Sequence, residues 1–281
     1  NAVTYCGATP NFLDIERDSL GVCPKKLVRY LKKKTIKKGK FIYNKKTNKK
    51  IKALIAVHLY GFPCKIIELK KICKKYGIIL IEDAAEALGS FYKKKHLGTF
   101  GDAGILSFNG NKPITCGSGG AIITDNKTMS LKLKHLSTHA KKQDLVDHIH
   151  DDIGYNYRMN NLSAAVGCAQ MENIKKIIKA KRKNYLWYRK AFKKLEYVQI
   201  LKEPKLSKTN YWLITAVLKN HKIKNKVLKK LKREGYGLRT TWRPLHSLKI
   251  YKNCPRDKME NSNDFFKRAI NFPSSPKLNY S

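Results

Sequence analysis

No stretch of the chain approaches the roughly 18 consecutive apolar residues that a membrane-spanning helix needs. The longest apolar segments, residues 53–59 and 77–81, are only strand-sized. No membrane insertion is expected. The seven cysteines include no CxxC pair, which argues against both a disulfide framework and a zinc site and favours a reducing cytoplasm. The start, Asn1-Ala-Val-Thr-Tyr5, has neither a basic opening nor a signal-like apolar block, and it lacks methionine. It reads as a cut into a longer sequence. Acidic residues are scarce: 20 Asp and Glu face 60 Lys and Arg, a formal net charge of +40. Such a field draws in anions, including nucleic acids. Three features argue against specific nucleic-acid binding. Arginine, the main base-reading residue, is rare beside lysine. The lysines are spread over the whole chain. No regularly interleaved aromatics form a stacking platform.

Hydrophobic residues make up 42% of the 281, enough for one large domain or a large and a small one. The first half alternates strand and helix signals. Residues 2–5 and 11–14 suggest short strands around the turn Gly7-Ala-Thr-Pro10. Residues 24–33 suggest a helix opened by Pro24. The nearly continuous apolar run 53–59 has the pattern of a parallel strand covered on both faces. Ile66, Leu69, Ile72 and Cys73 recur at helical spacing, with Gly77 as the cap. Residues 78–81 form another strand, ending in Glu82-Asp83, and 104–108 and 120–124 two more. This alternation implies a mostly parallel α/β sheet, whose ligands sit at the carboxyl ends of its strands. Asp83 and the loop after Phe108 lie at such ends.

The second half changes character. A long helical stretch, 162–195, bent at some point, leads to strand candidates 198–201 and 211–218. A lysine-rich helix at 223–234 and an extended segment, 235–243, follow. The expected division is a large domain, 1–145, and a smaller α+β domain, 146–281, joined near 145–160.

Two segments could carry chemistry. In Glu82-Asp-Ala-Ala-Glu-Ala-Leu-Gly-Ser90, Asp83 serves equally well as a ligand or as a cap of the following helix. In Ser107-Phe-Asn-Gly-Asn-Lys112, a lysine stands between a strand and the glycine-rich turn Gly117-Ser-Gly-Gly120. A desolvated lysine has a lowered pKa and can form a Schiff base, whereas most lysines here are solvated surface charges.

Together with Gly119-Gly-Ala121 and Thr124-Asp125, these segments resemble the sugar aminotransferases of the DegT/DnrJ/StrS family. Further similar segments are Asn1 to Pro10, Phe12-Leu-Asp14, His58-Leu-Tyr-Gly-Phe-Pro63 and the stretch from Asp152 to Ala165. Trp242-Arg-Pro-Leu-His246 and Asn271-Phe-Pro-Ser-Ser-Pro276 recur as in the branch acting on nucleotide-linked amino sugars. The resemblance implies the aspartate-aminotransferase type of pyridoxal phosphate fold, a mostly parallel sheet with helices on both faces and a smaller C-terminal α+β domain. By the same resemblance, Lys112 would carry the cofactor and shuttle the proton. Asp83 would pair with the pyridine nitrogen. Ser107 would bind the cofactor phosphate. Glu86 would sit near the ring's phenolic oxygen, where many relatives have glutamine or histidine. Asn156 would reach the phosphate in the neighbouring subunit of a homodimer, and Tyr155, Arg158 and His246 would meet the nucleotide-sugar. Relatives that dehydrate sugars have histidine in place of Lys112, so lysine implies a transaminase.

The family's Ser-Gly-Thr turn that cups the phosphate, and the aromatic residue that stacks on the ring, are not found in these residues; Gly98-Thr99 lies in a loop. An N-terminally truncated member is therefore expected, one that binds the cofactor weakly by itself. The implied reaction transfers an amino group from glutamate to a keto-sugar on a nucleoside diphosphate. The tail motifs point to a UDP-linked 4-keto-6-deoxy amino-sugar of surface-glycan or nonulosonic-acid synthesis. The rival reading is a non-catalytic fragment that binds anions or nucleotides through its charge.

Overall fold

The computed structural model describes residues 1–142 and 146–277. Its first sheet runs β1 (Ala53–Val57), β2 (Ile79–Asp83), β3 (Ala103–Ser107) and β4 (Gly120–Ile123) in that order. The first three are parallel and β4 pairs antiparallel with β3, so the sheet is mixed. Helix α1 (Pro24–Lys34) precedes the sheet, and α2 (Ile66–Tyr76) connects β1 to β2. The apolar spacing of α2 works as its sequence demands: Ile66, Leu69 and Cys73 are buried with Leu54, Ala56 and Leu80 of the strands. Gly77 ends α2 at φ +63 and donates its N–H to the last carbonyls, a left-handed position that favours glycine.

Cover lies mainly on one face of this sheet. Leu54, Ala56, Leu80 and Glu82 are buried, but the opposite parity leaves Ile55, Ile79, Ile105 and Ile122 at 37–49% exposure. The run 53–59 thus has the composition of a strand covered twice and, among the described residues, is covered once. The register places Asp83 beside Ile105 and two residues before the level of Ser107, on this open face. Glu82 faces the other way.

The second sheet is antiparallel throughout, in the order β7 (Arg239–Thr240), β8 (Ala269–Phe272), β6 (Ile214–Leu218), β5 (Val198–Ile200). Its core gathers Ile214, Ala216, Leu218 and Ile270 with Tyr185 and Tyr188, and it includes Tyr60 and Phe62 from the first half. The long helical stretch divides at Asn173 into α4 (Asn161–Glu172) and α5 (Ile174–Ala191). Helices α3 (Lys127–Leu136), α6 (His221–Arg233) and α7 (Glu260–Arg268) complete the labelled elements. Among the described residues no helix is long and apolar enough to cross a membrane.

Expectations for the N-terminal segments change as well. Residues Ala2–Tyr5 form a turn of helix instead of a strand. Residues 11–14 form no strand of their own; Phe12 makes an isolated bridge with Arg256, and Asp14 turns inward. Asp14 accepts the backbone N–H groups of Asn261 and Ser262 and the Ser262 hydroxyl, closing the N-terminus of α7, and pairs with Lys26. Burial pushes its carboxyl up, and these donors outweigh burial and leave it below its usual range. A carboxylate serving a helix 247 residues away is what removes the segment from strand pairing. The hairpin Thr35–Lys38 with Phe41–Asn44 was hidden by the lysines of its first strand and the aromatic residues of its second. The expected boundary falls at residue 145, which lies outside the described residues.

Candidate active site

The carboxyl ends of β2 and β3 carry Asp83 and Ser107. Asp83 Oδ1 accepts the Ala85 N–H at 3.1 Å, and Ser107 Oγ accepts a long contact from Asn109 N at 3.4 Å. No helix directly follows Asp83, so the expected helix cap is replaced by a local turn contact with Ala85, and among the described residues the other carboxylate oxygen accepts no hydrogen bond. Neighbouring Glu82 has a different task. It is fully buried, paired with His58 Nε2 at 2.8 Å, and accepts the N–H groups of Gly98, Phe100 and Gly101. Burial raises its pKa, and His58 with the backbone donors pulls it below the usual value. The Cys64 N–H points at His58 Nδ1, so the ring proton sits on Nε2, towards Glu82.

The chain after β3 folds back as a closed loop. Phe108 N donates to Gly119 O and Cys116 N to Phe108 O, while Lys112 N donates to Asn109 O at 3.0 Å. Ile114 anchors the loop at 1% exposure. The Lys112 side chain is 11% exposed, with Nζ 3.9 Å from Glu86 Oε1 and 4.1 Å from the centre of the Trp212 ring. Burial lowers the Lys112 pKa by more than Glu86 and Asp83 raise it. Loss of solvation thus favours the neutral, nucleophilic amine.

Glu86 is shaped by the same burial. Its pKa is raised to about 7, chiefly by desolvation, against the Tyr60 N–H and the Lys112 charge. Tyr60 N donates to Glu86 Oε2 at 2.7 Å from a left-handed backbone (φ +58), which the short turn Leu59–Gly61 imposes. Gly61 must be glycine-like: it sits at φ +87, and a Cβ there would meet Asn210 Oδ1 at 2.0 Å. Asn210 Nδ2 in turn holds the carbonyls of Glu86 and Leu88 at 2.9 Å. Trp212 and Trp242 stack at 5.8 Å, and Tyr60 stacks on Trp242 at 5.5 Å, walling the pair on one side.

Because Glu86 binds its proton more tightly folded than at its ordinary value of 4.5, its ionisation opposes folding. The protonated group's contribution is full below about 4.5 and is lost as pH rises towards 7. Glu86→Gln should flatten urea-unfolding stability over that window, by on the order of 3 kcal/mol. An unchanged slope would place the Glu86 pKa near its ordinary value.

The structure brings Lys112, Asp83 and Glu86 together and sets Ser107 at the same sheet end. It places the other candidates elsewhere in this chain. Tyr155, Asn156 and Arg158 are exposed on a segment zipped to residues 136–139 by backbone bonds, with Tyr155 stacked on Tyr157 at 5.1 Å. His246 is buried in the turn Leu245–Ser247 against Asn263, at 3.1 Å, and burial lowers its pKa. A cavity of about 570 Å³ between Tyr30, Asn44 and the Lys252 to Arg256 stretch shares no residue with the Lys112 cluster. Sequence reasoning missed Tyr60, Asn210 and Trp212. The adjacent polar and aromatic types in Asn210-Tyr-Trp212 are a signal, but Tyr211 and Trp212 fall in the expected strand 211–218, which begins only at Ile214.

A sequence profile of the DegT/DnrJ/EryC1/StrS aminotransferase family matches residues 1–281. The chain belongs to that family. It is 37% identical to the GDP-perosamine synthase of Vibrio cholerae over 284 residues, 99% of this chain and 72% of that protein. It is 29% identical to the UDP-4-amino-4,6-dideoxy-N-acetyl-beta-L-altrosamine transaminase of Campylobacter jejuni over 283 residues, again 99% and 72%. Among solved structures, Helicobacter pylori PseC, an aminotransferase involved in the biosynthesis of pseudoaminic acid, superimposes with a TM-score of 0.87 at 25% identity, covering 99% of this chain and 71% of that one.

As a member of the DegT/DnrJ/EryC1/StrS family, the protein is a sugar aminotransferase that depends on pyridoxal phosphate. The donor set at the sheet end fits that cofactor. A desolvated amine suits an aldehyde carbon, a strand-end carboxylate suits a protonated ring nitrogen, and a serine hydroxyl suits a phosphate.

Proposed function

We propose that this family member transfers the amino group of glutamate to a keto-sugar carried on a nucleoside diphosphate, with Lys112 as the lysine that holds pyridoxal phosphate. The observation that carries the reading is the Lys112 amine itself, desolvated, 3.9 Å from Glu86 and at the sheet end that presents Asp83. Pyridoxal phosphate, when bound, supplies an aldehyde for an amine and a ring that withdraws electrons from the substrate carbon. Lys112, whose burial favours the neutral amine, would hold the cofactor through its aldehyde carbon and would carry the proton at the substrate carbon. The Asp83 carboxylate holds a proton on the pyridine nitrogen. Glu86, titrating near 7, holds a proton towards the phenolic oxygen. Ser107 donates to the phosphate.

The remaining assignments rest on the resemblance to the family, with Tyr155, Asn156 and Arg158 exposed and His246 buried. Asn156, on an exposed segment, serves the phosphate of a second subunit in a homodimer. Tyr155 and Arg158 on that segment, with His246, meet the nucleotide-sugar, whose diphosphate suits a chain of net charge +40. Residues 1–145 form the cofactor-binding domain and 146–281 the smaller one. The seven free thiols favour a reducing cytoplasm.

The tail motifs favour a UDP-linked sugar, and the 37% relative favours a GDP-linked one. The assay is direct: GDP- and UDP-linked 4-keto-6-deoxy sugars are offered with glutamate and pyridoxal phosphate, and 2-oxoglutarate is measured. Keto-sugar-dependent 2-oxoglutarate is expected, with one nucleotide preferred by about tenfold or more. Turnover of simple keto acids with neither sugar accepted would contradict the reading.

A further inference from the structure

We propose that Trp212 is a positioning residue for Lys112, and that the buried Lys181 holds Trp212 in place. The inference rests on the reading of Lys112 as the working amine. The Trp212 side chain reaches from the C-terminal half to the Lys112 loop, and its indole Nε1 donates to Asn111 O at 2.6 Å. That carbonyl belongs to the peptide bond immediately before Lys112. The face of the same ring lies 4.1 Å from Lys112 Nζ. One side chain therefore fixes both the backbone from which the lysine springs and the resting place of its amine. A cation on an indole face is attracted by the ring quadrupole, and a wall of this size also excludes water.

Trp212 is itself fixed unusually well for a residue outside a strand. Its N–H donates to Asn210 Oδ1 at 2.9 Å, and its carbonyl accepts Lys181 Nζ at 3.1 Å and Ser274 Oγ at 2.9 Å. The Lys181 amine also donates to Ser274 O at 2.8 Å. Lys181 is 5% exposed, and its neighbours in hydrogen-bond reach are carbonyls, with no carboxylate among the described salt bridges. Burial pushes its pKa down to about 8. Burying an ammonium against carbonyls alone is costly, and an apolar side chain at this place in α5 would fill the space more cheaply. What the amine adds is directional: it sets the Trp212 carbonyl, and through it the plane of the ring under Lys112. The same turn carries Asn210, which holds the Glu86 and Leu88 carbonyls. The 210–212 turn thus grips both partners of the Lys112–Glu86 pair from the second sheet's side.

The test uses cofactor-free protein. The pH dependence of Lys112 acetylation by acetic anhydride is followed by peptide mass spectrometry, alongside hydrogen exchange over residues 109–116 and the melting temperature. Trp212→Phe keeps a ring face and loses the indole N–H; Lys181→Met keeps the stem and loses the donors. In both, the loop should loosen and water should reach the amine. The Lys112 midpoint is expected to rise by about half a unit or more towards the ordinary lysine value. Exchange over 109–116 should quicken by about tenfold or more. An unmoved midpoint in both variants, whatever happens to melting, would overturn the proposal and leave Trp212 as core packing. Should Trp212→Phe fail to fold, Lys181→Met decides by the same two outcomes. Labelling of a different lysine by the cofactor would sink the reading of Lys112 but would leave these measurements as they stand.

Discussion

Lys112→Ala is expected to reduce amino transfer to background, a loss of about 10⁴-fold or more. Two functions leave with one amine: the covalent hold on the cofactor and the proton carrier between substrate carbon and C4′. Glu86 cannot replace it. Its carboxyl lies 3.9 Å from the amine, but it is held by the Tyr60 N–H and titrates near 7, so it offers neither a nucleophilic nitrogen nor the same reach. Other lysines are plentiful, yet none is placed at this sheet end among the described contacts of Glu86. The variant should fold normally, because the loop is closed by backbone bonds at Phe108, Cys116 and Gly119 that alanine leaves intact. Retained turnover above about one percent of the parent would mean that another group carries the proton, since each tenfold is about 1.4 kcal/mol of barrier.

Asp83→Asn should keep cofactor binding and lower turnover by about a hundredfold or more, some 3 kcal/mol of barrier. Asparagine is the same size and keeps an oxygen for the Ala85 N–H, so the local turn survives. What it loses is the charge that keeps a proton on the pyridine nitrogen, and with it the ring's power to withdraw electrons. Near-normal turnover would reduce Asp83 to the local turn contact it makes with Ala85.

Much of the fold was legible where one local signal agreed with its neighbours. Ile66, Leu69 and Cys73 at helical spacing, followed by Gly77, gave α2 with both ends correct, because its buried stripe and its left-handed cap are both written locally. The position of Asp83 at a strand end was equally readable. Which way it faces was not, since that follows from the register between β2 and β3. The hairpin 35–44 was lost because its first strand, Thr35–Lys38, buries only Thr35 and ends in lysines, and its second, Phe41–Asn44, places aromatic residues on both sides of buried Ile42, which leaves no polar alternation to read. Asp14 looked like part of a strand because its partners, Asn261 and Ser262, lie at the far end of the chain. The walls of the site were least legible of all. Tyr60 and Trp212 come from separate halves, and only tertiary packing sets them beside Lys112 and Glu86.

The most direct measurement is to incubate the protein with pyridoxal phosphate, reduce it with borohydride, and map the modified lysine by peptide mass spectrometry. In a chain with 60 Lys and Arg, chance attachment would scatter the label over many exposed amines. The account predicts that one peptide, the one spanning Lys112, carries the phosphopyridoxyl group, and that Lys112→Ala abolishes it. Label concentrated on a different lysine, or spread over the surface with no preference for Lys112, would contradict it.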